Sequence, residues 1–139
     1  MTMPRAIFRY IEHELYGYEQ TKKAIEDMRE DILEGNGFTA KGLVPGAGYI
    51  NDPTARKAVR LVTSKALRKM ADNVVAIDRA MARLNGDHRK LFVLKYLKTM
   101  PWLKVCHEMD ISDRKFFRLR REIVLMVAAE MGLPMDEEK

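Results

Sequence analysis

Between Asp110 and Arg121 the chain reads DISDRKFFRLRR, and five of the nine residues from Asp113 to Arg121 are cationic. The chemistry open to such a cluster is recognition of a polyanion. Arginine pairs in bidentate fashion with guanine, and both Lys and Arg bind phosphates. Ser112 stands directly before the cluster and can accept from a backbone N–H at a helix start. Phe116, Leu119 and Ile123 follow at i, i+3 and i+7, which makes one buried helical face. Asp113, Arg114, Lys115, Phe117, Arg118, Arg120 and Arg121 lie mostly off that face. A short helix, Trp102 to Met109, precedes the turn Asp110-Ile111-Ser112, with Leu103, Val105, Cys106 and Met109 expected to point inward. This is the pattern of a helix-turn-helix, whose second helix reaches base edges with its N-terminal part. By position, Arg114, Phe117 and Arg118 belong to the groove floor. Asp113 is a candidate acceptor for cytosine N4. Lys115, Arg120 and Arg121 are placed for the DNA backbone, and Lys104 for phosphates beside the first helix. Phe117 has two readings of equal weight, contact with a thymine methyl or packing under another helix. For the cations the alternative is a solvated helix face, which their density beside a capped turn disfavours.

Other chemistry is poorly supplied. Cys106 is the single cysteine, and His13, His88 and His107 are scattered. No metal site is expected from them, and Cys106 reads as a small buried hydrophobe. Gly46-Ala47-Gly48 lacks the Lys-Ser/Thr ending of a P-loop. Nothing resembles a nucleophile–base pair or paired carboxylates, so neither an enzyme nor a cofactor is expected. No apolar run approaches the roughly 20 residues that span a bilayer. The N-terminal MTMPRAIFRYIEHEL turns acidic too early for a secretory signal, so the expected location is the cytoplasm.

The elements that must position the cluster are all helical. Ala6 to Tyr16 and Tyr18 to Glu34 read as two helices. Gly35-Asn36-Gly37 ends the second, and a glycine-rich linker runs over 35–52. Asp52 is expected to cap a long helix opened by Pro53 and unbroken to Asn85-Gly86. On it Leu67, Met70, Val74, Ile77, Met81 and Leu84 form a heptad seam. The C-terminal part of this seam is expected to dock on the following helices, and self-association as a homodimer is the alternative. A helix capped by Asp87 runs to Lys98. The last helix runs from Asp113 to Met131, closed by Gly132 and Pro134. The fold class is therefore all-α. Its expected organisation is an N-terminal helical segment (1–34), the linker (35–52), a DNA-binding domain of long helix plus helix-turn-helix (53–133) and an acidic tail (134–139).

Charge follows this organisation. Residues 1–50 hold six Lys/Arg against eight Asp/Glu, residues 51–121 eighteen against seven, and the last eighteen residues one against five. A basic middle between acidic ends points to a polyanionic partner met by one region. Arg56, Lys57, Arg60, Lys65, Arg68 and Lys69 make the first half of the long helix basic as well.

With these residues in place, the chain resembles phage-encoded transcriptional regulators of the RinA/ArpU type, whose C-terminal module is similar to region 4 of sigma-70 factors. The likeness runs from Ile11-Glu-His-Glu-Leu-Tyr16 and Thr21-Lys22-Lys23 through Asp52-Pro53-Thr54-Ala55-Arg56-Lys57-Ala58. It is clearest in Leu91-Phe92-Val93-Leu94-Lys95-Tyr96 and in Ile111-Ser112 followed by Phe116 to Ile123. It covers about residues 5–133 and departs at Leu103-Lys104-Val105-Cys106, where the family usually carries acidic residues. The resemblance implies a promoter-binding regulator of phage late or packaging genes. Two other readings stand beside it. One is a small terminase-like packaging subunit that also uses a helix-turn-helix but acts as a ring. The other is a helical interaction module that binds RNA polymerase or another protein through the heptad seam, with the basic helix incidental.

Overall fold

A computed structural model of the chain describes residues 3–33 and 53–134. Among these every regular element is helical, as the spacing predicts. The elements are α1 (Arg5–Tyr16), α2 (Tyr18–Leu33), α3 (Pro53–Arg83), α4 (Gly86–Leu91), a π-helical segment (Phe92–Leu97), α5 (Trp102–Met109) and α6 (Asp113–Met131). The glycine-rich linker, the expected Asp52 cap and residues 135–139 of the acidic tail lie outside the described residues.

The chain divides into two compact units. One holds everything up to Glu19 and everything from Asn73 onward, and the other is Gln20–Asp72. The division falls inside α2 and α3, not at the ends of the linker. The unit that carries the cationic cluster therefore takes α1 from the N-terminal segment and only the last turns of the long helix. Within Gln20–Asp72, Ile25 and Thr63 are buried, while Lys57, Lys65, Arg68 and Lys69 are exposed.

The core of the larger unit is assembled from short stripes. Ile11 and Leu15 come from α1, Ile77, Ala80 and Met81 from α3, and Leu91 from α4. Phe92 and Tyr96 come from the π-helical segment, Val105 and Cys106 from α5, and Phe116, Leu119, Ile123, Val124, Val127 and Ala128 from α6. The C-terminal part of the heptad seam is thus spent on docking, as expected. Asn73, beside the seam, is buried and donates to Tyr10 Oη at 3.0 Å and to Glu14 Oε1 at 2.9 Å, tying α3 to α1.

Two local readings are corrected. The helix after Asn85 is capped by Asn85 and not by Asp87. The Asn85 side chain accepts from the backbone N–H groups of Asp87 and His88 at 3.0 and 3.3 Å. His88 Nδ1 in turn accepts from Asn85 N–H at 3.4 Å. Gly86 occupies the first helical position, so the carbonyl-bearing side chain one residue before it has the cap geometry. The single helix expected to Lys98 also divides at Leu91. Its last part widens into i→i+5 hydrogen bonding, with Lys98 N–H donating to the Val93 carbonyl at 2.9 Å. Leu91, Phe92 and Tyr96 all face the core around this wider turn.

Candidate nucleic-acid interface

The cationic cluster is presented by α5, a three-residue turn and α6. In α5, Val105 and Cys106 are buried and hold the helix on the core. Burial pushes the Cys106 thiol upward, which keeps it a neutral apolar group. Leu103, expected to point inward, is 63% exposed. With Val105 and Cys106 taking the inner side, Leu103 falls on the outer side of the first turn.

The turn closes by backbone alone. Asp110 adopts φ 54°, ψ 53°. Its N–H donates to the His107 carbonyl at 3.2 Å, and Ile111 N–H donates to the Cys106 carbonyl at 3.0 Å. That pair of bonds is a Schellman stop with aspartate in the left-handed position. Ile111 packs against the core between the two helices. Ser112 is extended, at φ −74° and ψ 162°, and its Oγ accepts from Lys115 N–H at 3.1 Å. The carboxylate of Asp113 lies in the first turn, where it suits the positive end of the helix. At the other end Gly132, at φ 71°, provides the second Schellman stop, with Leu133 N–H donating to the Ala128 carbonyl at 3.0 Å.

The expected buried face of α6 is realised, with Phe116 at 1%, Leu119 at 2% and Ile123 at 0% exposure. Arg114, Phe117, Arg118 and Arg121 are all exposed. They stand at i, i+3, i+4 and i+7 and so form one outward stripe. Lys104 and Asp113 are exposed as well. Phe117 is packed on one side only. Its ring lies 5.2 Å from Trp102 and 5.1 Å from Phe116 between centroids, yet it remains 44% exposed.

Lys115 and Arg120 have carboxylate partners within the fold. Lys115 Nζ lies 3.2 Å from Asp87 Oδ2 and is shared between that carboxylate and solvent. Arg120 is turned inward. Its Nε donates to Glu12 Oε2 at 2.9 Å and its Nη2 to Glu12 Oε1 at 3.0 Å, while the guanidinium lies 4.8 Å from the Phe8 ring centre. Tyr96 Oη donates to the same Glu12 carboxylate at 2.7 Å. The expectation that Arg120 serves a phosphate therefore gives way to a role in clamping α1 to α6. Burial pushes Glu12 upward, but hydrogen bonds from Arg120 and Tyr96 and the charges of Arg120 and Lys95 outweigh it, leaving Glu12 below its usual value. The hydrogen bond to Glu12 raises Arg120. Burial first, then the bond to Glu12, raises Tyr96.

Behind α6, His88 is 6% exposed; with its Nδ1 accepting from the Asn85 cap, its Nε2 donates to Glu122 Oε1 at 2.8 Å. A cleft of about 600 Å³ opens beside it, with Leu84, Leu119 and Met126 among its walls and Arg118 on its rim. Among the described residues no three His, Cys, Asp or Glu side chains gather as a metal-ligand set.

The chain is similar to the transcriptional activator RinA of Staphylococcus phage phi11, with 26% identity over 127 residues, covering 89% of each chain. The likeness is to a phage regulator of the RinA type. A match of that length takes in both compact units and is not confined to α5 and α6. The phage protein is named as an activator of transcription and not as an enzyme. No family model matches the chain, and no solved structure matches it significantly.

Sequence reasoning missed Glu12 as the partner of Arg120, Asp87 as the partner of Lys115, and Trp102 as the neighbour of Phe117. Nothing in spacing links Glu12 to a residue 108 positions away. Trp102 had a signal of its own, since a tryptophan in the first turn of a short helix is too large to vanish into a small core.

Proposed function

We propose that the protein is a sequence-specific, double-stranded DNA-binding transcriptional regulator, with α5 and α6 as a helix-turn-helix and the N-terminal half of α6 as its reading helix. The observation that carries the reading is the outward stripe Arg114–Phe117–Arg118–Arg121 on a capped helix that α5 and the core hold from behind. Arginines on the first turns of such a helix suit guanine edges, and Lys104 and Arg121 suit phosphates. The similarity to a phage activator supports transcription control. Phage late or packaging genes in a bacterial cytoplasm are the setting that this reading proposes.

Selection of bound sequences from a random duplex pool tests this directly. An enriched motif is the expected result, and a palindromic one would identify a dimer through its half-sites. Failure to bind any duplex at low salt would overturn the reading and leave a protein partner, such as RNA polymerase, for the same surface. A ring of eight or more chains in a solution mass measurement would favour a packaging subunit instead.

A further inference from the structure

An exposed phenylalanine in the middle of a cationic stripe is not explained by solvation. Phe117 is 44% exposed between Arg114, Arg118 and Arg121, where a polar side chain would suit water better. Its ring is also not loose. Trp102 lies 5.2 Å away at an interplanar angle of 44°, and Phe116 lies 5.1 Å away edge-on at 85°. Phe116 is 1% exposed and anchors the group to the core. Trp102, 37% exposed, comes from the first turn of α5, so the cluster joins both helices of the motif. Aromatic groups held in this way lose little rotamer freedom on binding.

We propose that Trp102 and Phe117 form an apolar reader of the thymine C5-methyl group, with Phe117 making the contact and Trp102 fixing its position. The inference rests on α6 being the reading helix. The flanking charges argue for the occupant. A surface with arginine on either side of the ring along one helix face is matched by a duplex groove, whose phosphates and guanines take the arginines and whose only apolar projection is the thymine methyl. An apolar protein partner would have to bury those guanidinium groups or leave them at its rim. Leu103, 63% exposed beside Trp102, extends the apolar surface on the α5 side.

The test uses the full chain and the duplex obtained by selection. Each thymine of the site is replaced in turn by uracil, which removes the methyl and leaves the pairing edge intact. At one or two positions the wild-type protein should lose about threefold to tenfold in affinity, the scale of one buried methyl group. Phe117→Ala and Trp102→Ala should bind the thymine and uracil duplexes alike, while Trp102→Phe should restore the discrimination. A purely structural role for Trp102 would lower affinity for both duplexes and leave their ratio unchanged, which would overturn its assignment. Equal binding of thymine and uracil duplexes by the wild type at every position would overturn the pair as a reader without touching the proposed function, and needs no variant to fold. Duplex binding that is absent altogether would remove both. Unchanged discrimination in Phe117→Ala would also overturn the inference and leave a protein contact as the use of the aromatic surface.

Discussion

Arg118 and Arg120 stand two positions apart on α6 and act in opposite directions. Arg118 faces out beside Phe117, whereas Arg120 is locked on Glu12. Arg118→Ala should cost about 1–3 kcal/mol on the selected site and little on random DNA, so that preference relaxes. Equal losses on both duplexes in a binding titration would place Arg118 outside the base-reading set. Lys104→Ala should weaken all sequences alike and lower the salt slope by about 1. The clamp predicts a stability effect instead. Glu12→Gln should destabilise the fold by about 1.5–3 kcal/mol at neutral pH, the range for hydrogen bonds to charged groups. The sign with pH follows from a folded-state value below the unfolded one near 4.5. The contribution of ionised Glu12 is complete above the unfolded value and is lost as pH falls through the folded one. Denaturant unfolding of wild type and Glu12→Gln should therefore converge in acid. Tyr96 acts at the other end. Its raised value makes its contribution complete below about pH 10 and lost as pH climbs beyond it.

At the level of elements, the α5–turn–α6 segment is set by three short-range devices that a reader of the sequence can partly see. Ser112 before a basic run and Gly132 after an apolar one mark both ends of α6. Ser112→Ala should cost about 1 kcal/mol by removing the cap on Lys115 N–H. Asp110 was visible only as a turn residue. Its positive φ is tolerated by aspartate but suits glycine better. Asp110→Gly should raise the midpoint of thermal unfolding, by the equivalent of about 0.5–1 kcal/mol, with DNA binding unchanged. A fall in the midpoint would show that the aspartate side chain contributes a bond that outweighs its backbone cost. The elements that escaped reading are those whose form depends on neighbours. The π-helical turn at Phe92–Leu97 lies against the core through Phe92 and Tyr96, and their i, i+4 spacing would suit an ordinary α-helix equally well, so spacing alone does not announce it. The cap at Asn85 was missed for a local reason, since both Asn85 and Asp87 are good caps and only the starting residue of the helix separates them.

For the whole molecule, the uneven charge along the chain makes a prediction that no single residue does. A basic middle region that meets a duplex releases counterions, and log K falls by about 0.9 per phosphate for each decade of salt. Four phosphate contacts would weaken binding about a hundredfold between 50 and 200 mM salt. A flat salt dependence would show that the basic residues are a solvated surface and not a footprint. The all-α class, the order of the helices, the ends of α6 and its buried stripe were all determined by the sequence itself. Each depends on local spacing and on residues that stop or start a helix, and these act within a few positions. The choice between cations was decided by packing. Arg114, Arg118, Arg120 and Arg121 look alike in a row. What turns Arg120 inward is a carboxylate on α1 that the core brings beside it, held by a tyrosine from a third element. The same holds for Trp102, whose place beside Phe117 depends on how α5 meets α6. The cationic cluster from Asp113 to Arg121 is therefore a narrower thing in three dimensions, a stripe with an aromatic centre, with Arg120 turned away to hold α6 in place.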